Sequence, residues 1–223
     1  MGSLRVSSHQ PSFLPYVGFW NKLASTDLFI VMAGVQYTDR NYQNRVKLNG
    51  SWLTLPVQRN HRVPLYQVHL ADTLDLLSAA KRIEQTLCCK RYRYGHRLEE
   101  VLWYLRTSTG DSLVSVTVPL QIIIASMLGI TCRVELDFKE PDHQLDKTER
   151  LVKQVRRWAV DPIYYAGAGA VEHYIDRAKL PFRLMAQRVR EDACNETILQ
   201  VIAGEPDPAD YVRMAATWEE VHG

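Results

Sequence analysis

The chain has 223 residues, of which 46% are hydrophobic and 23% charged, and its formal net charge at pH 7 is +2. This composition excludes a disordered chain and predicts a globular protein, because a chain of this length buries a sizeable core within one domain. A net charge this small does not indicate nucleic acid as a partner.

The sequence also argues against a membrane or secreted protein. Its longest uncharged apolar stretch, residues 112–131, is interrupted by polar side chains, Pro119 and Gly129, so it predicts a buried core segment. The N-terminus lacks the charged and apolar segments of a secretory signal. The four cysteines, with Cys88 next to Cys89, form no CxxC pair, and reduced thiols are expected. We therefore predict a cytoplasmic protein without a membrane partner.

Two short apolar runs near the N-terminus predict strands. They cover residues 4–8 and 28–32, and residues 16–24 between them carry apolar side chains at helical spacing. Strand, helix and strand in this order form the start of a right-handed βαβ unit, which places ligands at the carboxyl ends of its strands. Polar residues that follow these strands are therefore candidates for a site.

A β-hairpin is predicted around Asn49-Gly50. This dipeptide separates residues 45–48 from residues 51–55, two runs of alternating character, and Asn-Gly in such a place is the strongest short hairpin signal. Alternation places Arg45 and Lys47 on one face of the hairpin. We expect these two cations to face the rim where the βαβ strands end.

The rest of the chain alternates predicted helices with predicted strands. Helical spacing covers residues 73–107, with a break at Gly95, and residues 112–128, which Gly129 ends as a C-cap. Further predictions are strands at 131–136, 163–166 and 182–186, and helices at 145–158, 171–177, 196–203 and 208–219. This alternation predicts one α/β domain over residues 1–223, with a mostly parallel, Rossmann-like sheet, helices on both faces and a β-hairpin near residues 44–56.

The candidate catalytic residues are His9, Gln10 and Gln36. The first two follow one predicted strand and Gln36 follows the next, so neighbouring strands bring them to one rim. A histidine transfers protons near neutral pH, and a glutamine amide orients a carbonyl oxygen or an amine. The alternative is that these side chains only satisfy backbone groups.

Candidate substrate-binding residues lie in two further segments. Asn44, Arg45 and Lys47 suit a carboxylate or phosphate, with Lys22 and Arg40 adding to the same positive potential. Cations on a hairpin are, however, often only solvated.

The second segment contains Gly167-Ala168-Gly169 between a predicted strand and a predicted helix. Exposed amides in such a loop favour anions, and a tight turn is the alternative. Tyr164 and Tyr165, which precede the loop, either stack on a ligand ring or fill the core.

Motifs for metal and cofactor binding do not occur in the sequence. The histidines lack HExxH spacing, the glycines lack GxGxxG and GxxxxGK patterns, and no GxSxG elbow is present. Cys132 and Cys194 are conceivable nucleophiles without a base that the sequence reveals. We predict no metal and no cofactor.

The N-terminal quarter of the sequence carries a set of motifs that resembles a known family. The motifs are HQPxFLPYxGFxxK from His9, which includes Tyr16, then VQY from Val35, QNRxK from Gln43 and WLTLPV from Trp52. Over residues 5–57 the chain resembles the WbqC-like proteins, and the similarity returns more weakly at residues 164–169 and 173–176. Where this family tends to carry paired acids before VQY, the chain has Ala33-Gly34.

The resemblance implies a biosynthetic transferase in a natural-product or surface-polysaccharide pathway. It would move an activated acyl or aminoacyl group onto an amine, with His9 as base, Gln10 and Gln36 orienting the carbonyl, and an anionic handle held by Arg45 and Lys47. Its partners would be a small amine acceptor and a donor linked to a carrier, a nucleotide or a transfer RNA. A nucleotidyltransferase-like enzyme and a non-catalytic sugar or nucleotide binder are the alternatives, and nothing in the sequence indicates an oligomeric state.

Overall fold

The computed structural model describes residues 3–58 and 62–222. Its strands are β1 (Arg5–His9), β2 (Leu28–Met32), β3 (Arg45–Leu48), β4 (Ser51–Thr54), β5 (Arg133–Asp137), β6 (Ile163–Ala166), β7 (Arg183–Val189) and β8 (Ala216–Val221). Its helices are α1 (Val17–Ala24), α2 (Leu74–Leu87), α3 (Glu99–Thr107), α4 (Leu113–Met127), α5 (Lys147–Arg156), α6 (Ala168–His173), α7 (Ile198–Gly204) and α8 (Pro208–Met214). Among the described residues, no helix has the length and apolar character needed to cross a membrane.

Six of these strands form one sheet in the order β5-β2-β1-β6-β7-β8. The first five are parallel, and β8 pairs antiparallel with β7. Counted along the chain, this is the doubly wound order 3-2-1-4-5-6, in which the winding reverses between β1 and β6. The prediction of a mostly parallel α/β fold is confirmed.

Two apolar cores cover the sheet, one on each face. Along β2, Leu28 and Ile30 enter one core while Phe29 and Val31 enter the other, because successive strand residues point in opposite directions. The larger core also contains residues of α1, α2, α3, α4, α7 and α8, and the smaller one contains residues of α5 and α6. The predicted helices on both faces are therefore present.

Helix α1 is embedded in the larger core, with seven of its eight residues buried. The indole of Trp20 donates to the carbonyl of Pro15 at 3.0 Å, and the amide of Asn21 donates to the carbonyl of Val212 at 2.9 Å. The Tyr16 ring lies so close to Gly18 that a Cβ there would meet it at 2.5 Å. These contacts fix α1 in the core, and the Lys22 ammonium joins it to β1 by donating to the carbonyl of Ser8 at 3.1 Å.

The predicted hairpin is confirmed as the two-stranded sheet of β3 and β4. Asn49 and Gly50 at its turn have φ values of 49° and 79°, a conformation that this dipeptide favours. Val46 and Leu48 are buried in the larger core. The opposite face of β3 consequently carries Arg45 and Lys47, as alternation predicts.

Two predicted helices differ from the observed elements. The helix predicted at 171–177 begins earlier, at Ala168, and ends at His173. The helix predicted at 208–219 is wrong beyond Met214, because residues 216–221 form β8. Ion pairs from Arg183 to Glu220 at 2.7 Å and from Arg188 to Glu219 at 3.0 Å join β8 to β7, and such pairing partners are not visible in a local pattern.

Candidate functional site

A cavity of about 1300 Å³ lies where the parallel strands end. The last residue of each parallel strand lines it, namely His9 of β1, Met32 of β2, Asp137 of β5, Ala166 of β6 and Val189 of β7. We call it the strand-end cavity. Doubly wound sheets bind ligands at this edge, where the winding reverses.

The walls of the strand-end cavity are predominantly cationic. Seven cationic side chains line it against three acidic ones. The cationic residues are Lys22, Lys139, Lys147, Arg150, Lys153, Arg157 and Arg188, and the acidic residues are Asp137, Glu140 and Asp142. A cavity lined by one sign of charge focuses its potential on a ligand of the opposite sign. The chemistry that fits is an anionic ligand.

Some of these charges are already neutralised. Arg157 forms an ion pair with the buried carboxylate of Asp137, and Lys153 pairs with Asp142 at 2.9 Å. Across the described ranges, Lys139, Lys147 and Arg150 form no ion pair, although the Lys147 ammonium lies 4.2 Å from the centroid of the Tyr174 ring. The Arg150 guanidinium donates to the carbonyl of Leu145 at 2.8 Å. The positive charge on these three side chains, which lie on α5 and in the loop before it, is therefore not neutralised by an acid.

Lys22 is the most unusual cation of the cavity. Its side chain is only 5% exposed, and its ammonium donates to the carbonyl of Ser8 at 3.1 Å. Burial removes water from the ammonium and lowers the pKa of Lys22 from 10.5 to about 7. At neutral pH this amine therefore exists in both its charged and its neutral form.

His9 lies beside Lys22 and is neutral. Burial, followed by the charge of Lys22, lowers the pKa of His9 from 6.5 to about 3, against the opposing effect of a hydrogen bond to Gln10. In that bond, Nδ1 lies 2.8 Å from the carbonyl oxygen of Gln10. A carbonyl only accepts, so Nδ1 carries the proton and Nε2 has a free lone pair.

A pair of hydroxyl groups lies on the wall formed by β1 and β6. The Ser8 hydroxyl is 2.7 Å from the phenol oxygen of Tyr164, and both residues line the strand-end cavity. Burial raises the pKa of Tyr164 to about 12, although hydrogen bonds from Ser8 oppose the shift. The phenol consequently stays protonated and acts as a hydrogen-bond group.

Six of the candidate residues named from the sequence line this cavity: His9, Tyr16, Lys22, Tyr164, Gly167 and Gly169. A Cβ at either glycine would meet nothing within 4 Å, so this loop is open to a ligand. Tyr165 is not among the lining residues. Its ring instead packs against Trp218, with 4.6 Å between ring centroids.

The two predicted glutamines do not line the strand-end cavity. Gln10 accepts a hydrogen bond from the amide of buried Gln43 at 2.9 Å, and Gln43 in turn accepts from the backbone of Thr38 at 2.8 Å. Gln36 is exposed and forms an isolated β-bridge with Pro64. Val35 lines the strand-end cavity and its neighbour Gln36 does not, which corrects the expectation that His9 and Gln36 share one pocket.

The hairpin residues are also separate from the cavity lining. The Arg45 guanidinium stacks on Trp52 at 4.1 Å from the ring centroid, and the Lys47 ammonium lies 5.8 Å from the same centroid. Asn44 is buried, and its side chain donates to the carbonyl of Leu55 at 2.9 Å. The expected rim position of the two cations is corrected, since the apolar hairpin face packs on the larger core and leaves them on the outer face.

The family is decided by a comparison with protein-family models. The model described as the WbqC-like protein family matches residues 10–184. The chain belongs to the WbqC-like family. The match is continuous where the motifs alone indicated a strong similarity only up to residue 57. It begins at Gln10, directly after β1, and ends at Leu184, inside β7.

This WbqC-like protein is similar in sequence to a mycobacterial protein. Uncharacterized protein Rv1507c of Mycobacterium tuberculosis (strain ATCC 25618 / H37Rv) is 29% identical over 184 residues, which cover 77% of this chain and 75% of the relative. Its description gives no activity. No solved structure matches the chain.

The structure explains why this WbqC-like chain has glycine at position 34. The backbone amides of Ala33 and Gly34 donate to the carbonyl of Asp137, at 2.8 Å and 3.0 Å. A Cβ on Gly34 would overlap the carbonyl oxygen of Lys139. At Gly34 the space for a side chain is thus filled by backbone. The acids that line the cavity are Asp137, the last residue of β5, and Glu140 and Asp142 after it.

Sequence reasoning missed two features of the site in this WbqC-like protein. The first is the burial of Lys22. The sequence indicates only an additional cation near Arg45 at this position, because a lysine on a short helix is usually solvated. The cations of α5 were assigned to an amphipathic helix without a role. Their position in the chain could have indicated a role in the site. Lys147 and Arg150 lie at the start of a helix that follows a strand of the parallel sheet, and ligands bind where such strands end.

Proposed function

We propose that this protein is a transferase that moves an activated acyl or aminoacyl group from an anionic carrier onto an amine. The observation that carries the proposal is Lys22, a buried amine with a pKa of about 7 on the wall of a cationic cavity. The natural-product or surface-polysaccharide setting implied by the family resemblance is part of the proposal.

Lys22 is suited to accept the proton that amide formation releases. The nitrogen of the acceptor amine attacks the acyl carbon, a carbon–nitrogen bond forms, and the amine must lose a proton. Neutral Lys22 takes that proton, and the resulting ammonium returns it to the carrier group as the carbon–carrier bond breaks. A base with a pKa near the working pH is the most effective for such transfers.

His9 is assigned an orienting role in this scheme. With a pKa of about 3, the neutral imidazole of His9 does not take up a second proton at neutral pH. Its Nε2 lone pair can accept a hydrogen bond from the attacking amine and direct the nitrogen lone pair at the acyl carbon. The hydroxyl pair of Ser8 and Tyr164 lies on the adjoining wall and offers a donor to the acyl oxygen.

The anionic carrier would lie along α5. Lys139, Lys147 and Arg150 line the cavity without an ion-pair partner among the described residues, so a phosphate or carboxylate there gains contacts without breaking any pair. This arrangement supports a donor linked to a nucleotide or a phosphate-bearing carrier. Binding energy from the carrier would position the acyl group beside Lys22.

Nucleotidyl transfer is a second candidate, and the strand order favours it. The doubly wound order with a reversal between β1 and β6 is the arrangement that binds nucleotides in many α/β proteins. In that reaction, the acceptor attacks a nucleotide phosphorus and pyrophosphate leaves. Fold analogy alone carries this candidate, so it ranks below acyl transfer.

The test presents the purified protein with a panel of amines and three donor types: acyl thioesters, aminoacyl esters and ATP. Amide formation that Lys22→Arg lowers by at least about 100-fold supports acyl transfer, since arginine stays protonated. Lys81→Arg, on an exposed position of α2, is the matched control and should leave turnover unchanged.

The products separate the alternatives. Pyrophosphate release from ATP selects nucleotidyl transfer, and saturable binding without product from any donor selects the non-catalytic reading. Amide formation with equal rates in the wild type and Lys22→Arg would reject the role given to Lys22.

A further inference from the structure

Aromatic and cationic side chains lie together on the surface of the hairpin. The rings of Tyr42 and Trp52 are 47% and 38% exposed, and their centroids are 5.7 Å apart. The Arg45 guanidinium stacks on Trp52, and the Lys47 ammonium lies near the same ring. We call these four residues the hairpin platform. Exposed rings with cations beside them form the kind of surface that binds a ligand carrying both rings and negative charge.

The cations of the hairpin platform are not neutralised by acids. Among the described residues, neither Arg45 nor Lys47 forms an ion pair, and the Arg45 guanidinium donates to the backbone carbonyl of Arg40 instead. Arg82 of α2 donates to the carbonyl of Trp52 at 2.8 Å and adds another positive charge beside the platform. The formal net charge of +2 does not reveal this local excess. An anionic ligand therefore gains contacts here without breaking an ion pair.

The hairpin platform is joined to the strand-end cavity through the loop after β1. In this loop the amide of Phe13 donates to the carbonyl of Tyr42 at 3.2 Å, and Tyr16 lines the cavity. Burial, followed by the nearby phenol of Tyr42, raises the pKa of Tyr16. The rings of Trp52, Tyr42 and Tyr16 thus lead from the hairpin to the cavity wall. A long ligand on the platform can extend past Tyr16 into the cavity.

We propose that the hairpin platform binds the single-stranded end of an RNA. Nucleobases stack on exposed rings and on guanidinium planes, and ammonium groups hold the phosphates between them. An acidic carrier protein would need only the cations, so the paired rings favour RNA. Free pyrophosphate has no base to stack, and its binding remains a property of the strand-end cavity.

This inference rests on the proposed function, because the RNA is the anionic carrier of that reaction. Its terminal ribose would carry the aminoacyl group as an ester and would lie in the strand-end cavity beside Lys22. The amine nitrogen bonds to the acyl carbon, and the ester carbon–oxygen bond breaks. The ribose oxygen then receives its proton from the Lys22 ammonium, which leaves a free hydroxyl on the RNA.

RNA binding tests the hairpin platform without turnover. The probe is a fluorescent single-stranded RNA of about ten nucleotides, and anisotropy with the full chain gives its affinity. Trp52→Ala should weaken binding roughly 5- to 100-fold, because one stacked base is lost. Trp103→Ala removes an exposed ring of α3 and is the matched control, which should leave the affinity unchanged. Equal affinities for the wild type and folded Trp52→Ala would overturn the proposal.

Salt dependence separates phosphate contacts from stacking. Lys47→Gln should reduce the slope of log affinity against log salt concentration by about 0.7, the value for one phosphate of a single strand. Arg177→Gln, at an exposed position outside the platform and the cavity lining, should leave the slope unchanged. Polyglutamate is the anion without bases. If it binds as tightly as RNA and Trp52→Ala weakens neither, the platform recognises an acidic protein and the RNA assignment is wrong.

Photo-cross-linking covers the case in which Trp52→Ala does not fold. The same RNA with 5-iodouridine, irradiated on the wild-type protein, should cross-link to Tyr42 or Trp52, as mass spectrometry of the peptides would show. Cross-links confined to other residues, such as the basic segment 90–97, would overturn the inference. RNA binding at the platform without transfer from any aminoacyl ester would uphold the site and reject the proposed function. Transfer from aminoacyl esters without RNA binding would do the reverse.

Discussion

The ammonium of Lys22 lies 3.1 Å from the carbonyl oxygen of Ser8, within a side chain that is only 5% exposed. This bond joins α1 to the residue before the end of β1. It also holds a titratable amine next to the imidazole of His9. A buried lysine is costly to a fold, and its presence on a cavity wall is a strong indication of function.

The rate of amide formation should depend on the protonation of Lys22. Since only the neutral amine accepts a proton, and the pKa of Lys22 is about 7, kcat/KM should rise with pH through about 7 and then level off. A profile of kcat/KM against pH measures this rise. The rise of kcat/KM with pH should be absent in Lys22→Arg and present in Lys81→Arg. If the rise persists in Lys22→Arg, the group that titrates is another residue.

Replacing Lys22 by methionine should stabilise the protein at low pH. The pKa of Lys22 is lower in the folded protein, about 7, than its ordinary value of 10.5, so unfolded chains bind the proton more tightly. The resulting cost is fully present below pH 7 and is relieved as pH rises towards 10.5. Urea unfolding should therefore show Lys22→Met more stable by about 2 kcal/mol at pH 6, after the loss of one hydrogen bond is included.

The advantage of Lys22→Met should shrink between pH 7 and pH 10. A constant difference across this range would mean that the substitution acts through packing rather than through the charge.

His9 should make the fold sensitive to acid. Its pKa is about 3 in the folded protein against 6.5 ordinarily, so stability is lost as pH falls from about 6.5 towards 3. His9→Asn removes this contribution and should flatten the decline in unfolding free energy over that range. His96→Asn, at an exposed position, is the control and should follow the wild-type curve.

Two glycine substitutions should have opposite effects on stability. Gly34→Ala places a methyl group against the backbone carbonyl of Lys139, which cannot move without shifting the segment after β5, and should cost about 2–4 kcal/mol. Gly169→Ala meets nothing within 4 Å and lies in helix α6, so it should be neutral or stabilise by about 0.5 kcal/mol. Melting temperatures measure both, and equal destabilisation would contradict the close approach at Gly34.

Anion affinity should depend on α5 and not on the hairpin. Using pyrophosphate as the probe, Arg150→Ala should weaken binding by roughly three- to tenfold and reduce its salt dependence, because a cation of the cavity is lost. Arg45→Ala should leave the affinity unchanged, since Arg45 stacks on Trp52 instead. The reverse result in titrations across a salt series would restore the hairpin as the anion site.

Local patterns predicted most of the fold because they record burial. Five consecutive apolar residues at 28–32 give a strand buried on both faces, and the structure has the same bounds. Asn49-Gly50 fixes the hairpin through its backbone preference. The last strand was missed because Ala216–Val221 becomes a strand through its pairing with β7, which the local sequence does not encode.

The site was predicted less completely, for a geometric reason. His9 was found because it ends β1, and the position of a residue after a strand can be read from the chain. The direction of the Arg45 side chain could not be read from the sequence. The alternation of residues along a strand shows which side chains share a face, but it does not show against which element the hairpin packs. The burial of Lys22 depends on long-range contacts of α1, such as the bond from Asn21 to Val212.

The far end of β7 forms a part of the strand-end cavity that lies outside the family match. Gln187, Arg188 and Val189 line the strand-end cavity but lie beyond residue 184, where the family match ends. The amide of Gln187 donates to the carbonyl of Gly18 at 2.8 Å and to the side chain of Asn21 at 3.0 Å, directly beside Lys22. Substitutions at this strand end would change the cavity wall beside Lys22, while the ends of β1, β2, β5 and β6 would keep the remaining walls unchanged.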